Sequence, residues 1–192
     1  QGGVSLQGVA YGNGYWVAVG DSGTLYYKAD TPVGTWTAND QSSVHLQGVA
    51  YGNGYWVAVG SGGTLYYKAD TPVGAWTANN QGSTNLRGVA YGNGYWVAVG
   101  ENGTLYYKAD TPVGTWTANS QGSAHLYGVT YGNGYWVAVG GSGTLNYKAD
   151  TPVGTWTANS QGSANLYGIT YGNGYWVAVG NIGTLYYKAD TP

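Results

Sequence analysis

Hydrophobic and polar positions repeat along the chain with a period of 40 residues. The decapeptide YGNGYWVAVG occupies residues 11–20 and returns unchanged at 51–60, 91–100, 131–140 and 171–180. A fixed period of about 20 to 50 residues is typical of solenoids, propellers and other repeat architectures. We therefore interpret the chain as one domain, 1–192, made of copies of a single unit. The approximate bounds of these copies are 1–40, 41–80, 81–120, 121–160 and 161–192.

Turn signals divide the first copy into four segments of strand length. Glycine, Asn, Asp and Pro cluster at residues 12–14, 20–23 and 30–34, and such clusters mark turns. The segments between them are rich in Val, Tyr, Trp and Thr, which favour pleated strands. They are residues 6–11, 15–19, 24–29 and 35–38. We predict four strands, A to D, with Asn13-Gly14 as a tight hairpin turn between A and B.

Neither face of strand B is polar. Trp16 and Ala18 lie on one face, and Tyr15, Val17 and Val19 lie on the other, because side chains alternate along a strand. A sheet that is apolar on both sides must be covered on both sides, and identical sheets stacked around an axis achieve this. We predict an all-β fold, a five-bladed β-propeller with four antiparallel strands per blade. Its structural core would contain the tryptophans of strand B: Trp16, Trp56, Trp96, Trp136 and Trp176.

A β-hairpin solenoid stays open as an alternative architecture. Cell-wall-binding repeats of this type are also rich in Gly, Tyr and Trp, but their period is about half as long. A β-trefoil would need three repeats rather than five.

The fifth copy stops at Pro192, before the segment that forms strand D in the other copies. We expect a last blade without its outer strand, so that strand C at residues 184–189 becomes an exposed edge. Because exposed edges pair with other chains, the sequence suggests a homo-oligomer formed through 184–189.

The stretch YKADTPVGTW at residues 27–36 resembles the Asp-box of sialidase-type, or neuraminidase-repeat, propellers. Residues 8–27, GVAYGNGYWVAVGDSGTLYY, are similar to the repeats of photosystem-assembly-factor-like propellers. The resemblance covers all five copies and implies a propeller fold, with the Asp-box as a structural hairpin away from any active site. It gives the aspartates a structural turn role: Asp30, Asp70, Asp110, Asp150 and Asp190. Five-bladed propellers also include lectins of the tachylectin type, which suggests a lectin-like scaffold.

The near identity of the copies indicates recent amplification of one unit or its deliberate engineering. Charged residues make up only 7% of the chain, and the net charge is −2. No electrostatic surface for nucleic acid or an anionic membrane is expected from this charge. The Ser, Thr, Asn, Gln, Gly and Tyr content would suit a secreted or virion-exposed protein.

Residue types for catalysis are few. There is no Cys, and only two His and one Arg are present. Neither histidine has an acidic residue at metal-ligand spacing, and hydrolysis would need a base, an acid and an orienting group together. We therefore expect no enzyme activity, no cofactor and no metal.

Differences among the copies are concentrated in the D–A connection, the start of strand A and the B–C turn. In a propeller these three regions lie on one face, whereas the constant A–B and C–D turns lie on the other. The variable positions at the start of strand A are the candidate ligand-binding residues: His45, Gln47, Asn85, Arg87, His125, Tyr127, Asn165 and Tyr167. Loop tolerance alone would also produce this variation, so both interpretations stay open.

Two functions are compatible with these patterns. The first is a non-catalytic scaffold that binds a carbohydrate or protein ligand through several nearly equivalent sites. The second is a structural or engineered repeat protein without a ligand, whose activity is folding and self-assembly.

Overall fold

Five antiparallel sheets follow one another along the chain, in a computed structural model that describes residues 3–192. Sheet 1 contains β1 (Leu6–Gly12), β2 (Tyr15–Gly20), β3 (Leu25–Ala29) and β4 (Thr37–Ala38). Sheet 2 contains β5 (Leu46–Gly52), β6 (Tyr55–Gly60), β7 (Leu65–Ala69) and β8 (Thr77–Ala78). Sheet 3 contains β9 (Leu86–Gly92), β10 (Tyr95–Gly100), β11 (Leu105–Ala109) and β12 (Thr117–Ala118).

The last two sheets differ in their number of strands. Sheet 4 contains β13 (Leu126–Gly132), β14 (Tyr135–Gly140), β15 (Leu145–Ala149) and β16 (Thr157–Ala158). Sheet 5 has only β17 (Leu166–Gly172), β18 (Tyr175–Gly180) and β19 (Leu185–Ala189), as predicted. Short 3-10 turns connect the second and third strands of the first four sheets, at Asp21–Gly23, Ser61–Gly63, Glu101–Gly103 and Gly141–Gly143. Among residues 3–192, no helix is long and apolar enough to cross a membrane.

The A–B hairpin forms at the predicted position in every copy. Asn13 and Gly14 have φ angles of 45° and 75°, the two positive values that a type I′ turn requires. Gly12 pairs with Tyr15, and the ladder continues from Tyr11 with Trp16 to Gly8 with Val19. The turn therefore sets the register that places Trp16 and Val17 on opposite faces.

The outer strand is shorter than predicted. Residues 35–38 were expected to form strand D, but only Thr37 and Ala38 pair with β3. In the second copy, the backbone N–H of Trp76 donates a 2.9 Å hydrogen bond to Gln41 of the preceding sheet. Because this donor is used between sheets, it is not available to the ladder within the sheet.

The core lies between consecutive sheets. We call the side of a sheet that packs against the next sheet its trailing face, and the opposite side its leading face. Val17, Val19 and Leu25 on the trailing face of sheet 1 pack against Trp56 and Ala58 on the leading face of sheet 2. The predicted alternation of strand B is thereby confirmed, and the same contact recurs between later sheets. Trp56, Trp96 and Trp136 are fully buried, Trp176 is nearly so, and Trp16 at the first sheet is only half-buried.

The sheets form an open row. The inner strands β1, β5, β9, β13 and β17 pack each against the next, but in the described residues this packing is not repeated between β17 and β1. The all-β, repetitive and propeller-like part of the prediction is confirmed, whereas closure into a five-bladed ring is not.

Candidate functional site

The D–A connections and B–C turns lie together at one end of the sheets, which we call the variable end. The backbone N–H of Asp21 in the first B–C turn donates a 3.0 Å hydrogen bond to the carbonyl of Ser5, just before β1. Ser61 and His45 make the same 3.0 Å bond in the second copy. This contact places the residues that differ most among the copies beside one another.

A β-bulge starts each inner strand at the variable end. In sheet 1, Leu6 pairs with Gly20 and Gly8 pairs with Val19, so Gln7 is left without a partner in the ladder. The same register shift occurs in the other four sheets. We call the five unpaired residues the bulge residues: Gln7, Gln47, Arg87, Tyr127 and Tyr167. A bulge changes the direction of its side chain and is often found beside functional sites.

Four of the candidate residues accept hydrogen bonds between sheets, and we call them the acceptor residues. They are His45, Asn85, His125 and Asn165. The Oδ1 of Asn85 accepts a 2.8 Å bond from the backbone N–H of Gly62, and Asn165 accepts one of 3.0 Å from Ser142. In His45 and His125, Nδ1 takes the place of the amide oxygen, at 3.3 Å and 3.0 Å from the donor nitrogen. The acceptor residues therefore have a structural role, and their predicted ligand-binding role stays a prediction.

Arg87 is the centre of a polar cluster in the middle of the variable end. Its Nη1 donates a 2.9 Å hydrogen bond to Oε1 of Gln47, and its Nη2 donates to the carboxylate of Glu101 in the B–C turn. The hydrogen bond from Arg87, reinforced by the Asn85 side chain, lowers the pKa of Glu101 below its usual value. The only arginine of the chain is thus held by its own neighbours.

A second polar group lies next to this cluster, on sheets 1 and 2. The Nδ1 of His45 is 3.2 Å from Oδ1 of Asp21, and Gln7 Nε2 donates a 3.4 Å bond to the same oxygen. A cavity of about 210 Å³ opens between the two groups. Its lining residues are Gln7, Asp21, His45, Gln47, Ser61 and Arg87.

Aromatic side chains lie at the variable end of sheets 4 and 5. The rings of Tyr127 and Tyr167 are 5.3 Å apart, and His125 lies 6.3 Å from Tyr127. Tyr167 is exposed, whereas Tyr127 is half-buried. The bulge residues therefore change from polar on sheets 1 to 3 to aromatic on sheets 4 and 5.

The opposite end carries the constant turns. Asp30 has a φ of 59°, and its backbone N–H donates a 2.7 Å hydrogen bond to the carbonyl of Gly14 in the A–B turn. The carbonyl of Asp70 accepts a 2.9 Å bond from the Asn13 side chain of the preceding sheet. Within residues 3–192, no hydrogen bond reaches the carboxylates of the turn aspartates. The turn aspartates thus act in the turn through their backbone groups, as Asp30 shows.

The sequence did not identify a second set of buried aromatic residues. Trp76, Trp116 and Trp156 are buried between sheets, and Gln41, Gln81 and Gln121 accept the hydrogen bonds of their backbone N–H groups. The repeated Gln of the D–A connections was the one sequence signal for this contact. The tryptophan that donates to it lies 35 residues further along the chain, so the pairing is not visible in the residue order. The fourth such glutamine, Gln161, lines a cavity of about 120 Å³ between sheets 4 and 5, together with Leu145, Trp176 and Tyr186.

Possible metal ligands do not converge in the described part of the chain. Among residues 3–192 there is no group of three or more His, Asp or Glu side chains that could hold a metal ion. Arg87 and Glu101 form an ion pair in this region, whereas His45 contacts Asp21 through the same Nδ1 that accepts the Ser22 N–H bond.

Comparison with known proteins supports the fold. No protein family matches the sequence, and no curated protein matches it. The structure is similar to that of the computationally designed Ika8 protein, with a TM-score of 0.73 and 11% identity over 96% of this chain. It is also similar to YCF48 from Cyanidioschyzon merolae, with a TM-score of 0.65 and 16% identity over 93% of this chain. The chain spans 58% and 66% of the length of these two proteins. Both similarities support a repetitive, propeller-like fold.

Proposed function

We propose that the chain is a non-catalytic repeat scaffold that binds a carbohydrate or protein ligand at its variable end. The observation that carries this proposal is the row of five β-bulges, which presents one side chain from each inner strand at the same end of the sheets. The backbone that presents them is nearly identical from sheet to sheet, while the side chains differ. Such a row provides several nearly equivalent positions for a repetitive or extended ligand.

The side chains of the bulge residues and their neighbours favour a ligand that has apolar faces as well as hydroxyl or amide groups. The Arg87 cluster and the cavity beside it offer polar groups, and the Tyr127–Tyr167 pair offers aromatic surface with hydroxyl groups. Tyrosine combines a large contact area with a polar end and a small loss of side-chain entropy, which suits recognition of sugars or peptides. The small net charge of −2 gives no reason to propose nucleic acid or a membrane as the partner.

Absence of catalysis is part of the proposal. Arg87 and Glu101, two of the charged groups of the variable end, are paired with each other. The proposal includes a lectin-like use of the scaffold. It also includes a relationship to Asp-box propellers through the turn at Asp30. In that relationship the turn aspartates have a structural role, which the positive φ of Asp30 favours.

A glycan array combined with a peptide array tests the ligand proposal. We expect wild-type protein to bind at least one ligand class, and Tyr167→Ala to weaken that binding about tenfold or more, as loss of a central aromatic contact does. The control is Tyr187→Ala, which removes an exposed tyrosine of β19 and should leave binding unchanged. Binding that survives Tyr167→Ala, or that is lost equally in both variants, would contradict the proposal.

A second candidate function is self-association through the edge of β19, at residues 184–189. The observation that favours it is the cavity at Gln161, which lies where the earlier sheets hold Trp76, Trp116 and Trp156. A strand with a tryptophan could pair with β19 and fill this cavity. The test is a synthetic peptide of residues 33–39, VGTWTAN, which should bind to the protein, whereas the same peptide with Ala for Trp should not.

A further inference from the structure

The two ends of the row of sheets expose surfaces that are apolar. On the leading face of sheet 1, Leu6 is 47% exposed and Val9 is 61% exposed. On the trailing face of sheet 5, Val179 is 45% exposed and Leu185 is 58% exposed. Each of these side chains has equivalents in the inner sheets, so the structure itself shows what covers such a surface.

Inside the row, the equivalent residues are buried by the neighbouring sheet. Leu46, Leu86 and Leu126 correspond to Leu6, and all three have no exposed surface. Leu25, Leu65 and Leu105 correspond to Leu185, and they are also fully buried. A trailing face always covers a leading face. The end surfaces are thus the two halves of an interface that the chain forms four times between its own sheets.

A tyrosine and a glycine fix the alignment of each inner interface. A Cβ atom on Gly12 would collide with the Tyr51 ring of the next sheet, and the same holds for Gly52 with Tyr91, Gly92 with Tyr131 and Gly132 with Tyr171. At Gly172 of sheet 5 an added Cβ meets nothing within 4 Å. At the other end, Tyr11 is exposed although its four equivalents are half-buried. Tyr11 of one chain therefore has a matching recess at Gly172 of another.

The two end surfaces also carry a hydrogen-bond donor and an acceptor that match each other. Asn133 donates a 2.8 Å hydrogen bond to the carbonyl of Asp190 across the last inner interface. Its equivalent Asn173 makes no such bond in the described residues, and the carbonyl of Asp30, which would be the matching acceptor, lies on sheet 1. Docking of the two end surfaces would bring this donor and this acceptor together.

We propose that the chain associates head to tail: the leading face of sheet 1 packs on the trailing face of sheet 5 of a second copy. Tyr11 of one copy lies over Gly172 of the other, and the Asn173 amide donates to the carbonyl of Asp30. The contact uses two different surfaces of each chain, so it produces a closed ring or an extending row of chains. It is independent of ligand binding at the variable end and of strand addition at β19.

Two variants that each block one surface test this geometry. Gly172→Glu fills the recess on sheet 5, and Val9→Glu places a charge on the leading face of sheet 1; both sites are open, so the fold is retained. By sedimentation velocity, wild-type protein should form concentration-dependent oligomers, and each variant alone should be monomeric. An equimolar mixture should form a species of twice the mass of one chain and nothing larger, because only one compatible pair of surfaces remains.

The control is Val113→Glu, which changes a valine that is 45% exposed within the inner repeats and should leave oligomer formation as in wild type. Circular dichroism verifies that each variant is folded. A wild-type chain that stays monomeric at its highest soluble concentration overturns the proposal. A mixture of folded variants that stays monomeric also overturns it, as does either variant alone forming the wild-type oligomers.

Discussion

At the scale of single residues, the B–C turn of sheet 5 contains an unfavourable backbone conformation. Ile182 has a φ of 54° and is 92% exposed. The equivalent residues of the other copies are Ser22, Gly62, Asn102 and Ser142, with φ between 52° and 63°. Left-handed backbone is costly for a β-branched side chain, and this exposed isoleucine has little burial to offset the cost.

Replacement of Ile182 should therefore stabilise the protein. We expect Ile182→Gly to raise the free energy of unfolding by about 1 kcal/mol, because glycine adopts positive φ without steric strain. The reciprocal change, Gly62→Ile, should lower it by a similar amount. Urea denaturation of both variants measures the effect, and a lower midpoint for Ile182→Gly would show that the turn is not strained.

The Arg87–Glu101 pair predicts a pH dependence. Because the pKa of Glu101 is lowered in the folded protein, its ionised form stabilises the fold above the ordinary pKa of glutamate, and this contribution is lost as pH falls through the lowered pKa. Glu101→Gln should thus reduce the free energy of unfolding at pH 7 by about 0.5 to 1 kcal/mol. The difference from wild type should disappear in acid.

The matched control for this prediction is Asp110→Asn, which removes a carboxylate from the constant end and keeps a residue that tolerates positive φ. At pH 7 it should not reproduce the loss of stability expected for Glu101→Gln, because no side chain in the described residues is hydrogen-bonded to the Asp110 carboxylate. An equal loss in both variants would contradict a specific role of the Arg87 pair.

At the scale of the element, contact between sheets depends on a glycine at the end of each inner strand. Gly92 and Gly172 occupy the same position in β9 and β17, but only Gly92 lies under a tyrosine of a following sheet, Tyr131. The two glycines form a matched pair within one chain.

Substitution by alanine should lower the stability of the protein at Gly92 but hardly change it at Gly172. We expect Gly92→Ala to lower the free energy of unfolding by about 1 to 3 kcal/mol, the usual effect of overpacking, because Tyr131 must move together with its backbone. Gly172→Ala should change stability by less than about 0.5 kcal/mol, as at an open surface site. Thermal unfolding of dilute samples provides the comparison, and equal losses would contradict the sheet order.

Local patterns were sufficient to predict the elements, whereas contacts between copies were not. The Asn13-Gly14 turn and the alternation around Trp16 determine the hairpin and its two apolar faces, and both are present in the structure. The hydrogen bond between Trp76 and Gln41 could not be predicted, because the two residues are 35 positions apart in the chain. Likewise, the position of Arg87 beside Glu101 follows from a bulge and a turn whose geometry is not apparent in the residue order.

At the scale of the whole molecule, identical sheets account for the row but not for its closure. The same interface forms between all neighbouring sheets, so the repeat predicts stacking. Whether five sheets close depends on the angle between neighbours, which small differences in side-chain packing determine. The predicted five-bladed ring would need β17 beside β1, and the structure leaves both surfaces exposed.

The distance between the two terminal sheets tests the open arrangement most directly. The chain has no cysteine, so spin labels can be attached to Ala29→Cys with Ala189→Cys, and to Ala29→Cys with Ala69→Cys as the pair on neighbouring sheets. Pulsed electron paramagnetic resonance on labelled protein diluted with unlabelled chain gives the distance within one molecule. An open row predicts a clearly longer distance between residues 29 and 189 than between 29 and 69. Equal distances would mean that sheets 1 and 5 are neighbours in a closed ring, and would contradict the account.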